Sequence, residues 1–411
     1  MQRGIKIRLL PTTEQEVLFW KSAGTARWAY NYFLSENERI YKEYLANGKS
    51  GKRGADEKEV RRHINNVLKK TTHKWLGEVG SNVMKQGVKD ADLAVKRCIK
   101  GIGGKPHFKN KHKSKISFYV NYESLKRTQN GFHGEKLGVV KTATPLPKIK
   151  KGAKYVNPHI SFDGKHWYLS VAINITPPKV ELTDESLGID LGVKDLAIVA
   201  NRDASQTTVY KNINKTVRVK KLEKRLRREQ RKLSRRIEGN IKGYPRLTTR
   251  TGGKKRKPTW KRPLRECQNI NRQNQKIRLI HKKIADIRLN HLHQTTAAIV
   301  KTKPSRIVME TLNVQGMMKN RHLAKAIAAQ GFYEFKRQIM YKAEFYGIEF
   351  VEADKFYASS KTCSKCKAKK TDLKLSDRIY RCEVCGAVID RDLNAAINLA
   401  NYSPRNLEGV A

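Results

Sequence analysis

Seven side chains in this sequence have the types and the spacing for metal chemistry. Cys363-x-x-Cys366 and Cys382-x-x-Cys385 are separated by fifteen residues, the spacing of a zinc ribbon. Each pair can clamp one side of a tetrahedral Zn²⁺, and Lys361, Lys365 and Lys367 favour thiolates around the first pair. Four thiolates leave no open coordination position, so the ion expected here is structural. Asp190, Glu310 and Asp392 offer a different chemistry. Asp190 lies near the end of the apolar run opened by Leu187, and Glu310 closes Ile307-Val308-Met309. Asp392 stands in the first turn of the helical pattern Leu393-Asn394-Ala395-Ala396, with Asp390 at the N-cap position before it. Ionised carboxylates at the ends of buried strands are costly unless paired or bound to a cation, and hard oxygen donors select Mg²⁺ or Mn²⁺. Two such ions, about 3.5 to 4 Å apart, can activate a water and stabilise the leaving oxygen in an in-line attack on a phosphodiester.

The elements that must position these groups follow from the apolar pattern. Three successive strands are expected at 187–191, 196–200 and 207–210, then a strand at 306–310, a helix at 332–346, a strand at 348–353 and a short helix at 393–402. This order suits an α/β domain, with Gly188 and Gly192 permitting close approach beside Asp190. Two insertions interrupt it: the cysteine module, and a basic pair of helices at 219–237 and 270–299. Leu222, Leu226, Leu233 and Ile237 on the first helix face Ile277, Ile280, Ile284 and Ile287 on the second as an antiparallel hairpin, with a polar, basic, flexible tip from Gly239 to Pro263. Upstream, a strand at 5–10 is stopped by Pro11, helical patterns run from Thr12 or Thr13 to about Lys100, and Gly101 to Lys105 reads as a linker. From Pro106 the pattern turns to β, with strands at 116–122, 137–140, 160–162 and 167–175 that fit a small barrel or sandwich. The fold class is therefore multidomain, α/β and α+β.

Charge decides the partner. The 87 basic and 37 acidic side chains leave a formal charge of +50, and the surplus lies in several segments rather than one tail. Such a chain repels itself unless a polyanion binds it, most simply DNA or RNA. Arg225, Arg228 and Lys232 on the basic hairpin are candidates for tracking a phosphate backbone, and Lys109 and Lys111 for single phosphates. Asn82, Lys85 and Gln86 share one helix face and could reach base edges in a groove. No apolar run approaches the roughly 18 residues of a bilayer span, and Met1 to Glu16 lacks an apolar leader, so a soluble, cytoplasmic protein is expected, nucleoid-associated when bound to DNA. Gly48-Lys49-Ser50 imitates a phosphate-binding loop, but its first glycine would fall at Glu43. His291-x-His293 lacks a third metal partner, and Cys98 and Cys267 stand outside the module.

Taken together, Gly188-Ile189-Asp190-Leu191-Gly192, Met309-Glu310-Thr311-Leu312-Asn313, the run from Ser359 to Cys366, Asp390-Arg391-Asp392-Leu393-Asn394-Ala395-Ala396-Ile397-Asn398, and Lys105-Pro106-His107-Phe108-Lys109-Asn110-Lys111 resemble the TnpB (OrfB-type) proteins of insertion sequences, relatives of the compact type V CRISPR effectors. The resemblance covers nearly the whole length. It implies an RNase H-like RuvC nuclease domain (184–357 and 387–403, with the basic hairpin at about 212–300) interrupted by a zinc-ribbon target-nucleic-acid-binding module (358–386). It implies before these a wedge β-barrel (1–10 and 101–183) carrying a helical recognition insertion (11–100), and after them a tail, 404–411. Asp190, Glu310 and Asp392 become the RuvC triad with Mg²⁺ or Mn²⁺, and the four cysteines the Zn²⁺ ligands. The implied activity is cleavage of double-stranded DNA beside a short transposon-associated motif, directed by a transposon-derived guide RNA in a ribonucleoprotein with one copy of the chain. Sequence choice would then pass to base pairing. Two other readings share the motifs: a nuclease-inactive guided repressor, which an intact set of three acids disfavours, and a transposase that transfers strands.

Overall fold

The computed structural model describes residues 1–111, 114–150, 152–243, 258–355, 357–373 and 377–403; the proposed tail, 404–411, lies outside them. The chain divides into two compact units, Met1–Thr176 and Pro177–Ala411, parting at Pro177-Pro178, a few residues before the expected boundary. No helix among the described residues is long and apolar enough to cross a membrane.

In the first unit, β1 (Gln2–Leu10) is followed by α1 (Thr13–Ala46). Pro11 ends the strand, and Thr12 opens the helix with a reciprocal cap: its Oγ1 accepts from the Gln15 amide at 3.2 Å, while Gln15 Oε1 accepts from the Thr12 amide at 3.1 Å. After α2 (Glu57–His63) comes α3 (Ser81–Ile99), whose Gly87 lets it lie close on α1; a Cβ there would stand 2.7 Å from the Ala26 carbonyl. The remaining strands are β2 (Ile116–Tyr119), β3 (Lys126–Thr128), β4 (Gly131–Gly134), β5 (Gly138–Thr142), β6 (Val156–Phe162) and β7 (Trp167–Asn174). All seven form one sheet in the order β2-β6-β7-β1-β5-β4-β3. The first strand of the chain is thus central, pairing with β7 through Gln2 to Arg8 and with β5 through Leu9 and Leu10. Among the described residues no ladder joins β2 to β3, so the hydrogen bonding is that of an open sheet. Strands β3 and β4 are too short to show an alternating pattern in the sequence.

The second unit contains β8 (Thr183–Leu191), β9 (Asp195–Ala200), β10 (Thr207–Lys211), α4 (Val217–Gly239), β11 (Ile241–Gly243), β12 (Thr259–Trp260), α5 (Gln268–Lys301) and β13 (Pro304–Met309). It continues with α6 (Val314–Met317), α7 (Ala324–Gln330), α8 (Phe332–Tyr346), β14 (Glu349–Glu352), β15 (Ile379–Arg381), β16 (Val388–Asp390) and α9 (Arg391–Ala400). Its main sheet has the order β10-β9-β8-β13-β14; the first three strands are antiparallel, and β13 runs parallel to both β8 and β14. Alternation along the strands separates two apolar layers. Leu187, Ile189, Ile307 and Met309 pack against Ile299 of α5 and Phe335 and Ile339 of α8. On the other face Val308 meets Leu399, and Ile198 and Ala200 meet Ala396 and Ile397, so α9 covers that side.

Helices α4 and α5 pack through Val219, Ile280 and Ile284, flanked by Leu222, Leu226 and Ile287. Farther out the seam turns polar: Gln273 Nε2 donates to Glu229 Oε2 at 2.8 Å, while Leu233 and Ile237 are half-buried. At the base of the tip β11 pairs with β12; residues 244–257, where most of the expected tip falls, lie outside the described residues.

Candidate catalytic site and metal centre

Strand register places the first two acids. Ile189 and Met309 are partners across β8 and β13, so Asp190 and Glu310 leave adjacent parallel strands at the same level, with chains about 4.8 Å apart. Because Ile189 and Met309 point into the α5–α8 layer, Asp190 and Glu310 project to the α9 side. The helix reaches them because its seat is shaped for a close backbone: a Cβ on Gly188 would stand 2.0 Å from the Ala396 carbonyl and 2.3 Å from the Ala400 nitrogen. Buried Ser186 adds a hydrogen bond from its Oγ to the Ala400 carbonyl at 2.8 Å. At the other end of α9, Asp390 Oδ1 caps the helix by accepting from the amides of Asp392 and Leu393 at 3.0 and 3.1 Å. Asp392 stands in the first turn, its side chain 22% exposed.

The electrostatics show that the three acids feel one another. Burial pushes Asp190 well above the usual carboxylate range, and the charges of Glu310 and Asp392 push the same way while Arg391 opposes them. Glu310 is raised to about 7, by burial first, with the Leu191 amide opposing and Asp392 adding to the rise. Asp392 has cationic company: Arg391 Nη2 lies 3.2 Å from its Oδ1 and Arg378 Nη1 3.7 Å from its Oδ2. Two acids that resist ionisation beside a third, on rigid strand ends, make a site short of positive charge. A divalent cation fits that deficit. The carboxylates are not drawn as close as the thiols: among the described residues, only the four cysteines bring three or more metal-ligand atoms within 4.8 Å of one another.

Those cysteines form a second, separate cluster. Cys363 and Cys385 sulfurs are 3.7 Å apart, and Cys366 and Cys382 sulfurs 3.4 Å. The two CxxC turns share a backbone plan. Cys363 N donates to the Ala368 carbonyl and Lys367 N to the Cys363 carbonyl; Cys382 N donates to the Ala387 carbonyl and Gly386 N to the Cys382 carbonyl. The matching fifth residues, Lys367 and Gly386, both take left-handed conformations, at φ 64° and 69°. The amide of Cys385 leads in holding Cys382 down at about 6. Cys366 is pushed up to about 12; the Ala368 amide pulls it the other way, against burial and its three neighbouring thiols. Four sulfurs this close crowd negative charge together as they lose their protons; a cation relieves that crowding, and tetrahedral Zn²⁺ matches the donor set. Below them Cys363, Tyr380, Cys382 and Ala387 form a small core, and Ile389 joins it to the layer under α9.

The candidate nucleic-acid residues differ in how free their side chains are. Lys111 and Lys85 are exposed, as are Arg225, Arg228 and Lys232 along α4; the last two stand 3.9 and 3.8 Å from Glu229, too long for strong pairing. Lys109 is engaged internally. Its amide donates to Asn31 Oδ1 at 2.7 Å, its amine sits 3.7 Å from the centre of the Tyr30 ring, and burial lowers its pKa. Asn82 reaches Glu135 at 3.5 Å, and Gln86 donates to Asp90 at 2.8 Å. His291 hydrogen-bonds to the Lys211 carbonyl. Sequence reasoning misses Arg378, Arg391, Asn394 and Asn398. The asparagines did carry a signal: two amides four residues apart on a helical pattern otherwise filled with Ala, Ile and Leu.

Three family models match the chain. An OrfB model described as "Probable transposase" covers residues 169–321, a "Helix-turn-helix domain" model of the same group covers 1–46, and "Cas12f1-like, TNB domain" covers 332–399. Residues 1–46 hold one strand and one long helix rather than two helices and a turn. A Streptomyces pristinaespiralis protein named as a candidate RNA-guided DNA endonuclease is 25% identical over 405 residues, spanning 97% of this chain and 89% of its own. InsQ of Escherichia coli K12, with the same description, is 26% identical over 419 residues, spanning 97% and 91%. The TnpB-like protein L770 of Acanthamoeba polyphaga mimivirus is 24% identical over 416 residues, spanning 96% and 72%. Among solved structures, the mini-RNA-guided endonuclease CRISPR-Cas_phi3 aligns over 98% of this chain and 92% of its own with 10% identity and a TM-score of 0.44.

Proposed function

We propose that this chain, which belongs to the TnpB (OrfB-type) family, is an RNA-guided endonuclease that cuts double-stranded DNA beside a short flanking motif at one RuvC-type site. The observation that carries the reading is that Asp190 and Glu310 stand level on the β8–β13 strand ends, with Asp392 near enough for its charge to help hold both against ionisation. The sheet order, three antiparallel strands followed by two parallel ones, with α5 and α8 on one face and α9 on the other, is what an RNase H-like domain calls for and supports the same assignment.

In this reading Asp190 and Glu310, fixed on adjacent strands, and Asp392, swung in by α9, hold Mg²⁺ or Mn²⁺ through their carboxylate oxygens. Bound there, the ions supply an activated water and charge for the leaving oxygen. Arg378 and Arg391 steady Asp392 and keep positive charge beside the scissile backbone. The sheet and α9 keep the three acids from drifting apart. Cys363, Cys366, Cys382 and Cys385 hold a structural Zn²⁺ in a module that contributes to target binding. Arg225, Arg228, Lys232, Lys85 and Lys111 meet phosphates, and Asn82 and Gln86 lie on the helix face offered to the flanking motif. A net charge of +50 suits a protein that wraps a structured RNA and a heteroduplex, for which a modest groove would be too little. The basic hairpin at about 212–300 and the division into wedge, recognition and nuclease parts belong to this same reading.

The test is direct. RNA copurifying with the expressed protein is sequenced; a matching DNA target with randomised flanks is then offered with and without Mg²⁺. Cleavage next to one flanking sequence, lost in Asp190→Ala while gel shifts with guide and target persist, is the expected outcome. A random RNA mixture, or an Asp190→Ala variant that cuts as well as the wild type, overturns the proposal.

A further inference from the structure

Asn394 and Asn398 lie one turn apart on α9 and are 0% and 1% exposed. A side-chain amide taken out of water must find partners for two N–H groups and an oxygen, and an alanine would fill an apolar helix face at less cost. Both asparagines direct their hydrogen bonds to one stretch of main chain. Asn394 Nδ2 donates to the Thr362 carbonyl at 2.8 Å, and its Oδ1 accepts from the Ser364 amide at 2.9 Å. Asn398 Nδ2 donates to the same Thr362 carbonyl at 2.6 Å and to the Ser359 carbonyl at 2.8 Å. These partners bracket Cys363. On the far side, β16 runs into α9 without a linker, and the Arg391 amide donates to the Arg378 carbonyl at 2.8 Å.

The helix is therefore held between two bodies. Its later residues are seated on the sheet, through Gly188 beneath Ala396 and Ala400 and through Ser186. Another side, from Asn394 in the first turn, which carries Asp392, to Asn398 one turn later, is held by the cysteine module. We infer that Asn394 and Asn398 are positioning residues that pass the fold of the zinc-bearing module to the first turn of α9, so that zinc sets where Asp392 stands without touching the acid site. The inference rests on the reading of the acids as the nuclease site. A catalytic carboxylate displaced by about 1 Å can cost two orders of magnitude in rate, whereas nucleic-acid binding by a broad basic surface is insensitive to such a shift.

The experiment compares wild-type protein with Asn394→Ala, Asn398→Ala and the near-isosteric Asn394→Asp, which keeps the acceptor for Ser364 but sets an oxygen against the Thr362 carbonyl. Each is assayed with its guide and target for binding, for single-turnover cleavage across a Mg²⁺ titration, for zinc content, for Mn²⁺ binding by electron paramagnetic resonance, and for amide exchange in α9. The alanine variants are expected to slow cleavage about 10- to 100-fold, as loss of a supporting hydrogen bond at a metal site does. They are expected to need more Mg²⁺ for half-maximal rate, to bind Mn²⁺ more weakly, and to exchange faster at residues 392–394 only, with zinc content and target binding unchanged. Asn394→Asp is expected to fall at least as low as the alanine variants, because the new oxygen repels the Thr362 carbonyl. Wild-type rates and Mn²⁺ affinity in all three variants overturn the inference. So does zinc lost in proportion to activity, which would make the asparagines supports of the module alone. If wild-type protein itself fails to cleave, the nuclease reading fails first.

Discussion

Without divalent cations at pH 8, the second unit is expected to be less stable than its packing allows, because folding gathers acids that resist ionisation. Glu310 is the measurable case. Burial, with Asp392 adding and the Leu191 amide opposing, raises it from 4.5 to about 7. A shift of that size corresponds to about 3 kcal/mol at 1.36 kcal/mol per pH unit, an upper bound given partial solvent access. A carboxyl raised on folding holds its proton more tightly in the folded state. Its favourable contribution is complete below about pH 4.5 and is lost as the pH rises through about 7. Burial and the neighbouring acids move Asp190 in the same direction. Glu310→Gln removes this titration, so the variant should gain up to about 3 kcal/mol over wild type at pH 8 and almost nothing at pH 4.5. Mg²⁺ added to wild type should recover part of the same gain. Urea unfolding in Mg²⁺-free, zinc-replete buffer, read by a hydrogen-exchange pulse on the Ile307–Met309 amides, reports this unit alone. A variant less stable than wild type at pH 8, or one whose gain is equal at both pH values, would refute the account of the site as a cluster of strained acids.

Other expectations follow from single residues and their neighbours. Gly188→Ala places a methyl against the Ala396 carbonyl and the Ala400 nitrogen, and should cost about 1 to 3 kcal/mol by the same exchange assay and abolish cleavage, since α9 must lift. Gly386→Ala forces an L side chain into a left-handed turn and should weaken zinc retention by about 1 kcal/mol in competition with a chelator, whereas Lys367→Gly at the matching position should not weaken it. Replacing Arg225, Arg228 and Lys232 together by alanine should flatten the slope of log affinity against log salt by about 0.9 for each phosphate that is no longer neutralised, without altering which flanking sequence is cut. An unchanged slope would return those residues to plain solvated surface.

What the sequence makes legible is what local chemistry dictates. Asp190 and Glu310 stand out because each comes at the end of an apolar run, where one acid alone would suggest no more than a cap or turn, and the parallel register of β8 and β13 then carries both to one level. The cysteine pairs are readable because a metal knuckle is built from neighbours in sequence. The seam of α4 and α5 is readable where Leu222, Leu226, Ile280 and Ile284 keep the helical repeat; the repeat does not announce the buried Glu229–Gln273 pair set among its buried isoleucines, Ile270 and Ile277. Lys109 shows the limit of reading charge alone: its lysine-rich surroundings suggest a phosphate, yet Asn31 and the Tyr30 ring claim it. Strands β3 and β4 leave no pattern because three or four residues cannot show alternation.

The asparagines of α9 expose a deeper reason for partial legibility. Their partners, the carbonyls of Ser359 and Thr362, lie more than thirty residues away and are identical in kind to every other carbonyl in the chain, so nothing at either end announces the pairing. Only the oddity of two buried amides on an apolar helix hints at it. The same holds for Arg378, which reaches Asp392 because the ribbon of β15 and β16 folds back on the helix that follows it. A nuclease whose third carboxylate rides on a helix, rather than on a strand, needs some second body to fix that helix. In the proposed reading the cysteine module, tied to α9 through Asn394 and Asn398, is that body, which would account for a structural metal site encoded immediately before Asp392.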